Sequence, residues 1–154
     1  MTRPGPSILF DFFGAAQRVK LLLADAMADC GLRPDEYAVY STLVDGGPSS
    51  PTRMADAVGV PPTTMSHYVR GMLDHGHVRR SVHQLDRRSA ILALTPAGRA
   101  AHRRAAAAFE EANRRFVAGL ELPEGEVRAS LRAIRSAAEE ASQALAADTR
   151  TRAG

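Results

Sequence analysis

Residues 50–76 read SPTRMADAVGVPPTTMSHYVRGMLDHG, and their punctuation decides the fold. Ser50 before Pro51 is an N-cap with a first-turn proline: the hydroxyl accepts from a backbone N–H that has no helical partner, and the ring lacks a donor that would be idle there. A short helix from Thr52 to Val58 is predicted to follow and to break at Gly59. Pro61-Pro62 then starts another, running through Met65, Val69 and Met72 to Gly76. Two short helices across a tight glycine-containing turn, after a longer helix, make a helix-turn-helix pattern.

The flanks extend this unit. Val78 to Val82 and Ala90 to Leu94 are strand-like runs on either side of the polar stretch His83 to Ser89, which predicts a hairpin, or wing. Upstream, Pro34 opens a helix through Tyr37, Val39, Tyr40, Leu43 and Val44, halted by Gly46-Gly47-Pro48. Before it, Ile8 to Cys30 carries Leu9, Phe12, Phe13, Val19, Leu22, Leu23 and Met27 at helical spacing and is expected to stop at Gly31. Downstream, Thr95-Pro96 caps a long Ala/Arg-rich helix from Ala97 to about Gly119. Leu122-Pro123 introduces a last one with Val127, Leu131, Ile134, Ala138 and Leu145 on one face, and Asp148 to Gly154 reads as a frayed tail. The terminal helices offer more apolar face than a chain of 154 residues can cover, so they should meet a partner subunit. The expected fold is mainly α with a small β-hairpin wing: one domain over 1–154, a winged helix-turn-helix region at 33–95, and a helical dimerisation region from 7–31 and 97–147.

Composition narrows the function classes. Hydrophobic residues make up 45% of the chain, yet no stretch reaches the length of about 20 apolar residues that spans a bilayer, and no basic leader with an apolar run opens it. A soluble, cytoplasmic protein without a membrane partner is expected, and the single cysteine, Cys30, fits a reducing compartment. Net charge is only +3, but His77 to Arg104 holds Arg79, Arg80, Arg87, Arg88, Arg99, Arg103 and Arg104 against one acid, Asp86. That is a local positive field, suited to a polyanion or to a solvated helix face. There is no Gly-rich phosphate loop, no His-Glu-x-x-His and no nucleophile elbow, so neither an enzyme nor a cofactor is called for.

At Asp86-Arg87-Arg88-Ser89 and Leu92-Ala93-Leu94-Thr95-Pro96-Ala97-Gly98 the chain resembles the MarR family of bacterial regulators, whose wing carries Asp-x-Arg followed by a strand ending in Leu-Thr-x-x-Gly. All five fixed positions are present, and the match extends upstream through Met54-Ala55, Met65-Ser66, Val69 and Gly76-x-Val78. The resemblance implies a triangular homodimer with intertwined terminal helices. It also implies a transcriptional regulator, in many members a repressor that leaves double-stranded DNA when a small-molecule effector or oxidant enters the crevice between the dimer region and the DNA-binding region. The chain departs from the pattern at Pro61, where the family often has Ser, and at His67, Arg70 and Gly71, so no operator sequence carries over.

Met65, Tyr68, Val69 and Met72 share the inward face of the 61–76 helix, leaving Thr63, Ser66, His67 and Arg70 opposite as candidate base and phosphate readers. The plain alternative is a solvated polar face. In the wing, Asp86 orients Arg88 so that Arg87, Arg88 or both enter the minor groove, unless the pair is only a hairpin staple. Arg79, Arg80 and Arg53 are expected to face phosphates. Cys30 admits an oxidant-sensing reading, against that of a small buried residue beside Gly31. For zinc sensing the ligand pool would be Asp25, Asp29, Cys30, Glu36 and His102, with His75 and His77 apart from it; no metal is expected. The rival to a DNA-binding role is a winged-helix protein-interaction module that binds no operator.

Overall fold

The computed structural model describes residues 7–82 and 90–153. Its elements run α1 (Ile8–Ala26), α2 (Pro34–Asp45), α3 (Pro51–Val58), α4 (Pro62–Asp74), β1 (Val78–Val82), β2 (Ala90–Leu94), α5 (Pro96–Ala118) and α6 (Glu124–Ala153). They fall into two compact units, Met1–Asn113 and Arg114–Gly154, so α5 begins in the first and ends in the second.

In the first unit the helix bounds follow from local chemistry. The Ser50 hydroxyl accepts from the Arg53 N–H at 3.3 Å and caps α3, and Gly59 ends that helix with φ +76, a backbone region where a Cβ is strained. Pro34 stands at the first position of α2, with the Glu36 carboxylate accepting from the Arg33 N–H at 2.9 Å. The chain leaves α1 at Ala26 rather than running on to Gly31. Met27 and Leu32 are both buried, and between them the Cys30 N–H bonds back to the Met27 carbonyl at 3.0 Å while Gly31 turns at φ +75.

The core of this unit gathers Val39, Tyr40 and Leu43 of α2, Met54 and Ala55 of α3, Met65 and Met72 of α4, Val78, Leu92 and Leu94 of the hairpin, and Ala101 and Ala105 of α5. β1 and β2 pair antiparallel from Val78↔Leu94 to Val82↔Ala90. The sequence hides one feature of this sheet. Ser49, in the Gly-Gly-Pro turn after α2, exchanges both backbone hydrogen bonds with Leu92 at 3.0 and 2.9 Å, which ties the start of α3 to the wing.

Thr95 joins the wing to α5. Its hydroxyl donates to the Gly76 carbonyl at 2.7 Å and accepts from the Gly98 N–H at 3.1 Å, while its own N–H bonds the His77 carbonyl at 2.9 Å. Gly98 is buried against that same stretch, and a Cβ there would collide with the His77 carbonyl. The Leu-Thr-x-x-Gly run is thus a joint: a capping hydroxyl, and a glycine that lets helix and strand backbones touch.

In the second unit α6 opens after Pro123, with Arg128 Nε bonding the Glu124 carboxylate at 2.7 Å one turn on. The helix continues to Ala153, which corrects the expectation of a frayed tail from Asp148. No glycine or proline interrupts 126–153, and the Thr149 and Thr151 hydroxyls bond the carbonyls of Leu145 and Ala147, so nothing local ends the helix earlier.

Candidate nucleic-acid interface

The helix-turn-helix is α3, the turn at Gly59 to Pro61, and α4. Met65 and Met72 seal α4 to the core, with Tyr68 and Val69 packed partly against it. One hundred degrees per residue then decides the other side: Thr63, Ser66, His67 and Arg70 all stand exposed on the face turned away from the methionines. Pro61 gives α4 no side-chain cap, so its first N–H groups stay open toward whatever meets the helix. Ser66 differs from the expectation in detail, since its hydroxyl donates back to the Pro62 carbonyl at 2.9 Å and offers its lone pairs outward. Arg53 is exposed on α3.

In the hairpin Arg79 and Arg80 are both exposed, but they do not form one patch. Successive strand residues point to opposite faces. Arg80 lies opposite buried Leu92, on the core-facing side, while Arg79 lies opposite Ala93 on the other. Asp86, Arg87 and Arg88 lie outside the described residues.

Behind the reading face the structure gathers groups that no motif announces. The Tyr68 hydroxyl, on α4, donates to Asp35 Oδ2 at 2.6 Å, and Asp35 in turn faces Arg33 Nε at 3.9 Å. Burial pulls the Asp35 carboxyl upward, but the Tyr68 hydroxyl and Arg33 outweigh it and hold it below its ordinary value. Tyr68 itself is pushed up to about 12, by burial first and then by Asp35. Tyr40 meets His77 Nδ1 at 2.7 Å, and burial raises its hydroxyl to about 12 as well. His77 is held below the ordinary histidine value by burial, then by the neighbouring His75 and Arg104. These partners are 33 and 37 residues apart, which is why spacing gives no hint of them.

A crevice of about 700 Å³ opens between α1, the turn after it and the start of α2. Leu21, Ala24, Met27, Ala28 and Leu32 supply an apolar wall, and Lys20, Arg33, Asp35, Glu36 and His75 supply charge and polarity. A smaller cavity of about 160 Å³ lies between α2 and α4, lined in part by Tyr40, His67, Arg70 and His77.

The other candidates are placed apart. Cys30 is partly buried against the core. His102 is engaged by the Ser41 hydroxyl at 3.0 Å and stacks on Tyr37 at 4.7 Å, while Glu36 is tied to Arg33, so they do not converge with Asp25, Asp29 and Cys30. Among the described residues no three histidine, cysteine or carboxylate side chains gather where a metal ion could sit, and no helix is long and apolar enough to cross a membrane.

The chain is similar to known regulators over most of its length. A profile of the family described as "Sugar-specific transcriptional regulator TrmB" matches residues 27–92, from the turn after α1 through α2 and the helix-turn-helix into β2. Among solved structures, a probable transcriptional regulator from Pseudomonas aeruginosa is 31% identical, covering 82% of this chain and 95% of its own, with a TM-score of 0.72. The Mycobacterium tuberculosis regulator MOSR, solved in complex with DNA, is 22% identical over 88% and 98% of the two chains, TM-score 0.78. A MarR-family regulator from Rhodococcus sp. RHA1 is 22% identical over 87% and 96%, TM-score 0.70. A comparison with curated proteins finds no match. A wing joint built on Leu-Thr-x-x-Gly, a helix-turn-helix with one polar face, and a 31% identical regulator matched over 82% of this chain and 95% of its own lead to one conclusion: the chain belongs to the MarR family of winged helix-turn-helix transcriptional regulators.

Proposed function

We propose that the chain is a cytoplasmic homodimer that binds a pseudo-palindromic operator as a ligand-responsive repressor, with no catalytic step. The observation that carries this reading is the division of α4 into a buried methionine face and an exposed face of Thr63, Ser66, His67 and Arg70. Arg70 forks onto a guanine edge, while the hydroxyls and His67 take phosphates or water-mediated contacts. Arg53, Arg79 and Arg80 hold the backbone, and the Asp86-Arg87-Arg88 tip enters the minor groove, where negative potential is focused. The DNA complex of the similarly folded MOSR supports the same use of the fold.

Residues 33–95 are assigned to reading, and 7–31 with 97–147 to dimerisation. The dimer rests on apolar surface that the single chain leaves open: Phe10 is 76% and Phe13 61% exposed on α1, and Leu145 68% on α6. The crevice beside α1 is assigned to the effector, since about 700 Å³ lies within the range of small-molecule sites, roughly 300–1,000 Å³.

Selection of bound duplexes from random DNA by the purified protein tests the reading. An inverted repeat with half-site centres about 10 bp apart is expected for a two-fold dimer. Recovery of no sequence preference overturns operator binding and leaves the interaction-module reading in its place.

A further inference from the structure

We propose that Tyr68 and Asp35 form a latch that sets the rotation of α4 about its own axis, making Tyr68 a positioning residue for operator recognition; the inference rests on the DNA-reading role given to α4 above.

The need for such a latch comes from the core behind the helix. The largest fully buried side chains of the chain include Met54, Met65 and Met72, and two of these three belong to α4 itself. Methionine is unbranched, and its thioether re-packs with little loss, so this core holds the depth of α4 firmly and its rotation loosely. Rotation matters because the reading residues share one face of the helix, and that face must meet the bases squarely. A turn of a few tens of degrees moves Arg70 off a base edge while leaving the methionines in apolar surroundings.

A hydrogen bond supplies the direction that apolar packing lacks. Among the described residues, Tyr68 to Asp35 is the side-chain hydrogen bond that joins α4 to another helix, at 2.6 Å. Tyr68 sits beside His67 and two residues before Arg70, so fixing its hydroxyl fixes both. The acceptor is itself held. Asp35 is the second residue of α2, its carboxylate favoured by the backbone N–H groups there and by Arg33. A charged acceptor makes the bond short and strong for its class. Asp35 and Arg33 also line the large crevice, so a molecule lodged there meets the fixed end of the latch directly.

The experiment compares the wild type, Tyr68→Phe, Asp35→Ala, Asp35→Asn and the double variant Tyr68→Phe/Asp35→Ala, titrated against the duplex that the wild type selects and against a scrambled one. Tyr68→Phe keeps the ring in the core and loses only the hydroxyl. It is expected to lower affinity for the selected duplex about tenfold, which is one decade in Kd. Affinity for the scrambled duplex should stay within about twofold, because phosphate contacts carry no sequence information. Asp35→Ala should match Tyr68→Phe, the double variant should be no worse than either, and Asp35→Asn, which keeps an acceptor, should recover most of the loss. Equal affinity of Tyr68→Phe and wild type for the selected duplex overturns the latch, as does a parallel loss on both duplexes, the mark of general unfolding. If the wild type selects no duplex, the DNA-reading role fails first, and that failure is distinct from the other two.

Discussion

Replacing Gly98 with alanine probes the joint on which wing and long helix turn. An added Cβ would collide with the His77 carbonyl oxygen and stand 2.9 Å from both the His77 carbonyl carbon and Leu94 Cδ2. Relaxed carbon contacts lie at about 3.5–4.0 Å, so α5 would have to back away by more than half an ångström. The obstacle is backbone, which cannot rotate aside, and the cost belongs at the top of the overpacking range, about 3 kcal/mol. Alanine recovers about 1 kcal/mol of helix propensity over glycine, leaving a net loss of roughly 2 kcal/mol. For a chain of this size that lowers the melting temperature by about 4–8 °C, read by calorimetry at a fixed protomer concentration. Operator binding should fall as well, because His77 leads directly into β1 and its carbonyl anchors Thr95. A Gly98→Ala protein that melts at or above the wild-type temperature refutes this account of the joint.

Other outcomes follow from the proposed function and from the described residues. Arg70→Ala should cost about 1–3 kcal/mol on the operator and relax preference at one position of each half-site, whereas Arg88→Ala should weaken specific and non-specific binding together and flatten the salt dependence; unchanged affinity in Arg88→Ala removes the wing assignment. Phe13→Arg on α1 should leave helicity in place and halve the mass seen by light scattering, together with loss of operator binding; a dimer that persists shows that this face is not the interface. Acid should destabilise the fold through His77 and His102, both held below the ordinary histidine value by burial. The unfolded chain binds these protons more readily, so their contribution is fully present above pH 6.5 and is lost as pH falls through the depressed values. His102→Gln should therefore shrink the fall in melting temperature between pH 7 and pH 5, and an identical slope excludes that histidine.

Much of the fold was legible because its signals are local. Ser50-Pro51 caps α3, Gly59 stops it and Pro62 starts α4, each through a backbone group within a few residues. The polar face of α4 was legible for a related reason: once Met65 and Met72 point inward, helix geometry leaves Thr63, Ser66, His67 and Arg70 outside. Two helix ends differ from that local reading: α1 gives way after Ala26 to a turn in which the Cys30 N–H bonds the Met27 carbonyl, and α6 runs on because a polar Ala/Thr/Arg tail contains no helix breaker before Gly154.

The order of elements and the outward side of α4 follow from the sequence, since both depend on periodicity and on caps within one or two turns. Only the tertiary structure brings Ser49 to Leu92, Thr95 to the carbonyls of Gly76 and His77, Tyr68 to Asp35 and Tyr40 to His77. Those contacts join residues that are far apart along the chain, and a hydrogen bond depends on where two side chains meet in space, which no pattern of nearest neighbours records.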